Sequence, residues 1–249
     1  MNEYVKLERK IHPKAVLNHP IKTSVWHYMD YWKFEKFLEK KSLYLCRADI
    51  LQDKFEGTYS GAQIESINNF HRKHTDNKAL KEEEIFRKNQ RKKYFINCWS
   101  ISEKDQDLMW KGYTNNIDGV AIKSTIERIQ NNLNTNTYFH PLDLSEVNYY
   151  EQQEGKHIDY IDGFDAFINK DVYFELDKEI RILHWPNIDV SNSPKGEIMP
   201  VDLDILIDSI FLSPTFPKEK IKDVKDLIEK ANLSSKPLRF SRYRREISI

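Results

Sequence analysis

Cysteine is nearly absent: there are two, Cys46 and Cys98, far apart and each in an apolar, strand-like run. That excludes a disulfide-stapled small domain and any cysteine-rich zinc pattern, and it fits reduced thiols in a cytoplasmic protein. Glycine (7) and proline (9) are sparse and scattered, so no Gly/Ser linker or low-complexity tract marks a domain boundary. An excess of one charge is lacking too. The 39 Lys plus Arg balance 39 Asp plus Glu, which leaves no global field to recruit nucleic acid or an acidic membrane. No apolar run approaches the roughly 20 residues that a bilayer span needs, and the first ten residues carry charge without the apolar core of a signal peptide. What is present, 39% hydrophobic and 12% aromatic residues over 249 positions, suffices for one substantial core. The expectation is a single cytoplasmic domain with no membrane association.

Short apolar alternations and amphipathic stripes interleave along the chain. Strands are expected over 25–28, 42–46, 94–100, 119–122, 146–150, 207–213 and 238–243. A helix capped by Asp30 carries the stripe Tyr31, Phe34, Phe37 and Leu38, and another capped by Ser102 carries Leu108, Met109, Trp110 and Tyr113. Ser124 and Glu127 have capping-box spacing for a helix to about 133; a short helix is expected over 164–170. Thr215 and Pro217 open a helix with Ile221, Val224, Leu227 and Ile228 on one face. Residues 47–57 predict a loop turning sharply at Gly57, and 134–143 a second loop. One or two helices over 61–92 end in Arg87, Lys88, Arg91, Lys92 and Lys93, read as a solvated basic face at a helix C-terminus. The irregular connections favour an α+β fold with a mixed or split β-sheet flanked by helices over a regular doubly wound one.

Residues 173–184 hold the densest chemistry. Read as one long strand, the segment puts Glu175, Asp177, Glu179 and Arg181 on one face and Leu176, Ile180 and Ile182 on the other. A row of carboxylates is unfavourable unless a ligand, a cation or a basic neighbour compensates it, so this row locates a candidate site.

Nine segments carry a resemblance in order and spacing. They are Trp26-His27-Tyr28-Met29-Asp30, Leu43 to Asp49, Asp53 to Gly57, Asn97-Cys98-Trp99-Ser100, Met109 to Tyr113, Gly119 to Thr125, Lys170 before Phe174, Glu179-Ile180-Arg181, and Ile210 to Pro214. Together they resemble the prokaryotic domain of unknown function 2971 family. The chain departs from that pattern at Asp171, where the family has a second basic residue, at Leu176, where it has histidine, and at Asp177, the shorter acid of the acidic pair. The resemblance implies a shared site without naming a reaction. The order of an early strand with His27 and Tyr28, a strand ending in Arg47, and a late acidic strand also looks like the ADP-ribosyltransferase plan. There, one late-strand glutamate orients the nicotinamide ribose and stabilises the cation formed as nicotinamide leaves.

Acids, guanidiniums and large aromatics in one set suit an anionic ligand with a flat ring, because arginine grips phosphate bidentately while an aromatic face stacks the ring. The candidate catalytic residues are Glu179, Asp177 and Arg181; the candidate binding residues are Arg47, Tyr28, Trp99, Trp110, Tyr113, Lys170, Asp53 and Glu56. By the transferase likeness, NAD is the substrate, Glu179 the catalytic carboxylate, Tyr113 or Trp99 the stacking ring, and Arg47 or Arg181 the pyrophosphate grip. It also places the protein among effectors of bacterial or phage conflict. Two alternatives stay open. Asp53, Glu56, Asp177 and Glu179 supply the oxygen ligands of a Mg²⁺ or Mn²⁺ nuclease. Alternatively Arg47, Asp53, Glu56, Glu179 and Arg181 form a buried ion-pair network that fixes loops to the sheet of a non-catalytic sensor or interaction module, with Trp99, Trp110 and Tyr113 as core and Arg239, Arg242, Arg244 and Arg245 toward a partner. His71 and His74 read as plain surface residues.

Overall fold

A computed structural model describes residues 11–51, 57–58, 61–74, 77–115, 117–135, 141–151 and 163–242. The sheet is built around β3 (Phe95–Ile101). Strand β8 (Glu179–His184) pairs antiparallel along its whole length on one edge, and β5 (Leu142–Glu146) lies outside β8. The other edge of β3 is shared. Its C-terminal end pairs with β1 (Ser24–Asp30) through Val25 and Trp26, and its N-terminal end with β2 (Ser42–Arg47) through Cys46 and Arg47. Between those contacts β1 and β2 diverge, so the sheet is split. Beyond β1 lie β4 (Gly119–Thr125), β10 (Ser209–Leu212) and the parallel β11 (Leu238–Phe240); beyond β2 lies β9 (Gly196–Pro200). The fold is α+β with a mixed, largely antiparallel sheet.

Strand alternation sorts the side chains into two faces. On the back face, Val25, Met29, Trp99, Ile122, Ile180 and Ile182 join the main core. The stripes of α1 (Tyr31–Lys40), α5 (Ile126–Thr135) and α8 (Ile221–Lys230) close over it through Phe34, Ile129 and Val224. On the front face, two smaller clusters stand at opposite ends. One gathers Trp26, Tyr28 and Phe211 under Met109 and Trp110 of α4 (Asp107–Tyr113); the other gathers Tyr94, Ile96 and Leu183 under Phe164 and Phe167, which flank and enter α6 (Asp165–Ile168). Cys98, Ser100, Glu179 and Arg181 lie between them, since Cys98 pairs with Arg181 and Ser100 with Glu179.

Several sequence expectations shift in register. Asp30 makes no side-chain cap on α1; its carboxylate accepts from the Asn115 amide and pairs with Lys33. Ser124 is still in β4, with its hydroxyl on the Leu206 carbonyl, and Thr125 takes the capping place by accepting from the Arg128 amide. Ser102 bonds Lys104 instead of capping α4, which starts after Gln106. The 164–170 helix is one turn followed by β7 (Asn169–Asp171), which pairs in parallel with β6 (Asn148–Tyr150). Gly57 turns at φ 66° as expected.

The largest correction concerns residues 173–184. Strand β8 starts only at Glu179; residues Val172–Asp177 form a 3₁₀ turn, in which the Tyr173 amide donates to the Asp171 carboxylate, and Lys178 ends it in the left-handed region at φ 43°. Period-two apolar spacing was matched locally by turn-capping chemistry, and the cap prevailed. Leu176 is therefore exposed, and Glu175 does not share the face of Glu179.

Candidate functional site

Glu179 opens β8 on the front face with 3% of its surface exposed, and Arg181, two residues on, has 1%. Its carboxylate is held at both oxygens. Oε2 accepts from Arg181 Nε at 2.8 Å, and Oε1 accepts from Lys170 Nζ at 2.7 Å. Lys170 reaches this point from β7, crosses the Phe174 ring at 4.6 Å, and also meets Asp177 Oδ2 at 3.2 Å. Arg181 Nη1 donates to the Phe167 carbonyl at 2.7 Å, and the Glu179 amide donates to the Tyr149 hydroxyl at 2.9 Å. Two acids and two cations thus bind β7 and the 172–177 turn to the sheet. Asp177 keeps its place although it lies in a turn, because the left-handed residue Lys178 folds it back over Ser100, whose hydroxyl donates to the Asp177 carbonyl.

The two carboxyls are driven apart. Burial alone would raise Glu179, but the Arg181 guanidinium and the Lys170 ammonium outweigh it and bring the group down to about 2. Asp177 is raised, by burial first and then by the Glu179 charge, against the pull of Lys170. At neutral pH Glu179 is a fixed anion. Tyr113, at the end of α4, faces the same charges: its phenol is pushed up by burial and by Glu179, yet 41% of the residue remains exposed. An accessible aromatic ring therefore borders a permanent carboxylate. Tyr149 is raised for the same two reasons.

The predicted set divides. Glu179, Asp177, Arg181, Lys170 and Tyr113 come together. Tyr28 and Trp110 belong to the adjoining aromatic cluster, edge to face at 4.9 Å, with Tyr28 accepting from the Gln106 amide and Trp110 donating to Asp105. Trp99 points into the back core, where its indole donates to Asn97, so it cannot stack a ligand at Glu179. Arg47 is engaged elsewhere: it holds Asp49 bidentately at 2.6 and 3.2 Å and donates to the Ser193 carbonyl. Asp53 and Glu56 lie outside the described residues, as do Arg244, Arg245 and the side chains of His71 and His74. Tyr149, Phe174 and the Phe167 carbonyl were missed. Nothing local signals a backbone carbonyl or a hydroxyl 30 residues upstream; they reach the site through β6–β7 pairing, which sequence periodicity does not encode.

His27 occupies the split between β1 and β2. Its ring lies 5.1 Å from Trp99, and Nδ1 bonds the Cys98 carbonyl at 2.8 Å. A carbonyl only accepts, so Nδ1 carries the proton. Burial brings the imidazole down to about 4, against the upward pull of the Cys98 hydrogen bond, so the ring is neutral at pH 7. Among the described residues no group of three or more His, Cys, Asp and Glu is disposed to hold a metal ion, and no helix is long and apolar enough to cross a membrane. No protein-family model matches the chain, and no curated protein matches it.

Proposed function

We propose that the Glu179 centre is the floor of a nucleotide cleft, and that the protein is an ADP-ribosyltransferase-like enzyme using NAD⁺. The observation that carries this reading is the pairing of a fixed, buried anion, Glu179, with the partly exposed Tyr113 at the end of α4. In this role Tyr113 stacks the nicotinamide. Glu179 faces the ribose C1′ as the C1′–N bond breaks and the electron pair leaves with neutral nicotinamide. The oxocarbenium ion so formed is stabilised by the carboxylate, and a water or an acceptor hydroxyl adds to C1′ and releases one proton. Lys170 and Arg181 keep the carboxylate ionised and in place. The reading agrees with the resemblance to the 2971 family and to the transferase plan, and it sets the protein among prokaryotic effectors of conflict.

A second reading has its own observation. Both oxygens of Glu179 are taken by cations of the chain itself, which is how a structural tie is built. The same saturation weighs against Asp177 and Glu179 as ligands of a nuclease metal, since Lys170 and Arg181 already supply the compensating charge. Nicotinamide release from NAD⁺ separates the readings. Turnover by the wild type that disappears in Glu179→Gln, at a temperature where that variant is folded, supports the enzyme. Absence of turnover, together with no thermal shift on adding NAD⁺ or ADP-ribose, leaves the structural tie.

A further inference from the structure

A second polar concentration lies outside the Glu179 centre and shares none of its residues. Helices α2 (Gly61–His74) and α3 (Asn77–Gln90), with Asp49, Gly57 and Thr58, line an open cavity of about 580 Å³. Among the described residues five cations line it, Arg72, Lys81, Arg87, Lys88 and Arg91, against two carboxylates, Asp49 and Glu84. Both acids are engaged: Asp49 by Arg47, and Glu84 by Lys88 at 2.7 Å. The basic run at the end of α3, expected as a solvated face, is therefore partly turned inward.

The decisive detail is which donors are left over. Among the described residues, Arg87 Nη1 and Arg91 Nε and Nη2 are buried atoms without a hydrogen-bond partner. Nε and Nη2 form the side edge of a guanidinium, the edge with two parallel N–H bonds that fits two oxygens of one oxyanion. Arg47 shows this use within the same protein, holding Asp49 through Nε and Nη2. Arg91 presents the same edge just past the end of α3, and Arg87, four residues earlier, lines the same cavity with its own partnerless donor. A buried guanidinium N–H without an acceptor is unfavourable, and among the described residues no carbonyl at the end of α3 accepts from these three donors. A single carboxylate would balance only one of the cations; a phosphate chain balances several. Ile64 and Leu80 add an apolar strip to the wall, and the volume lies in the range of small-ligand sites.

We propose that this cavity binds a phosphorylated small ligand of the nucleoside di- or triphosphate class, its phosphates on the Arg91 edge, Arg87 Nη1 and Lys81. The site is separate from the NAD⁺ reading and does not depend on it. Gly57 lines this cavity and packs so close to Phe167, whose carbonyl binds Arg181, that a Cβ would lie 2.0 Å from that ring.

The test is calorimetric titration of the full chain with ATP, and separately with inorganic pyrophosphate, in low and high salt. Two variants probe the site. Arg91→Lys keeps the charge and removes the fork; Lys81→Glu changes an exposed side chain whose replacement leaves the fold intact. The expected result is saturable ATP binding that weakens with salt, falls about tenfold or more in each variant, and is unchanged in Glu179→Gln. Three results would overturn the proposal: no heat with either ligand at millimolar concentration, ATP binding equal in wild type and Lys81→Glu, or a single-stranded RNA oligomer that binds through Lys81 and Arg91 more tightly than ATP.

Discussion

Replacing Glu179 by glutamine removes one charge from a cluster that is almost fully closed to water, and the consequence can be worked out. Glutamine keeps the shape. Its amide oxygen can accept from Lys170 or from Arg181, but the other cation then meets an NH₂ group. Arg181 is 1% exposed and cannot turn to solvent, so an uncompensated buried guanidinium remains. Breaking a buried pair in this way costs about 3–5 kcal/mol, against the 0–1 kcal/mol typical of exposed pairs. For a chain of this size that corresponds to a fall in Tm of roughly 6–20 °C. Urea unfolding followed by the fluorescence of the five tryptophans measures it. Glu179→Met/Arg181→Met, which deletes both charges, should stand closer to wild type than Glu179→Gln does. A loss below about 1 kcal/mol in Glu179→Gln would refute the reasoning, because it would mean that Glu179 is no more buried or coupled than a surface acid.

Acid should destabilise the protein in two stages. His27, depressed from 6.5 to about 4, contributes up to about 3 kcal/mol that is present above pH 6.5 and lost as pH falls toward 4. Glu179, depressed from 4.5 to about 2, contributes a similar amount that is present above pH 4.5 and lost as pH falls toward 2, while the raised Asp177 acts in the opposite direction. Unfolding curves at pH 7, 5 and 4 that coincide would contradict the first stage, and curves at pH 4.5 and pH 2.5 that coincide would contradict the second. Gly57→Ala should lose roughly 2–4 kcal/mol, because φ 66° disfavours a side chain and the new methyl meets the Phe167 ring; a Tm equal to wild type would show that the segment relaxes freely. If the protein is a toxic effector, expression of the wild type should slow bacterial growth and Glu179→Gln should not; equal growth of the two strains removes that role.

The sequence revealed the chemistry of the site better than its geometry. The stripe Tyr31, Phe34, Phe37 and Leu38 and the buried run 94–100 were readable because their periods, 3.6 and 2, are properties of the local backbone. Glu179 and Arg181 were found because charge so close to apolar strand residues demands compensation, and Lys170 through its place in the family resemblance. The partners were not legible. Arg47 and Trp99 have the right chemistry for a nucleotide site, yet β-strand parity puts Trp99 on the back face, and Asp49, only two residues away, claims Arg47. The 172–177 turn was misread since Asp171 competes locally for amides that a strand would have paired. The basic run 87–93 looked solvated, for nothing in one helix tells which face a second helix will cover.

The most direct measurement of the central claim is an NAD⁺ binding isotherm for wild type and Tyr113→Ala. Tyr113 is exposed enough for its removal to leave the fold intact, and in this account its ring provides the stacking surface beside Glu179. Saturable binding by the wild type, weakened about tenfold or more in Tyr113→Ala with an unchanged Tm, is the predicted result. No binding by the wild type, or equal affinity in the two proteins, would contradict the account.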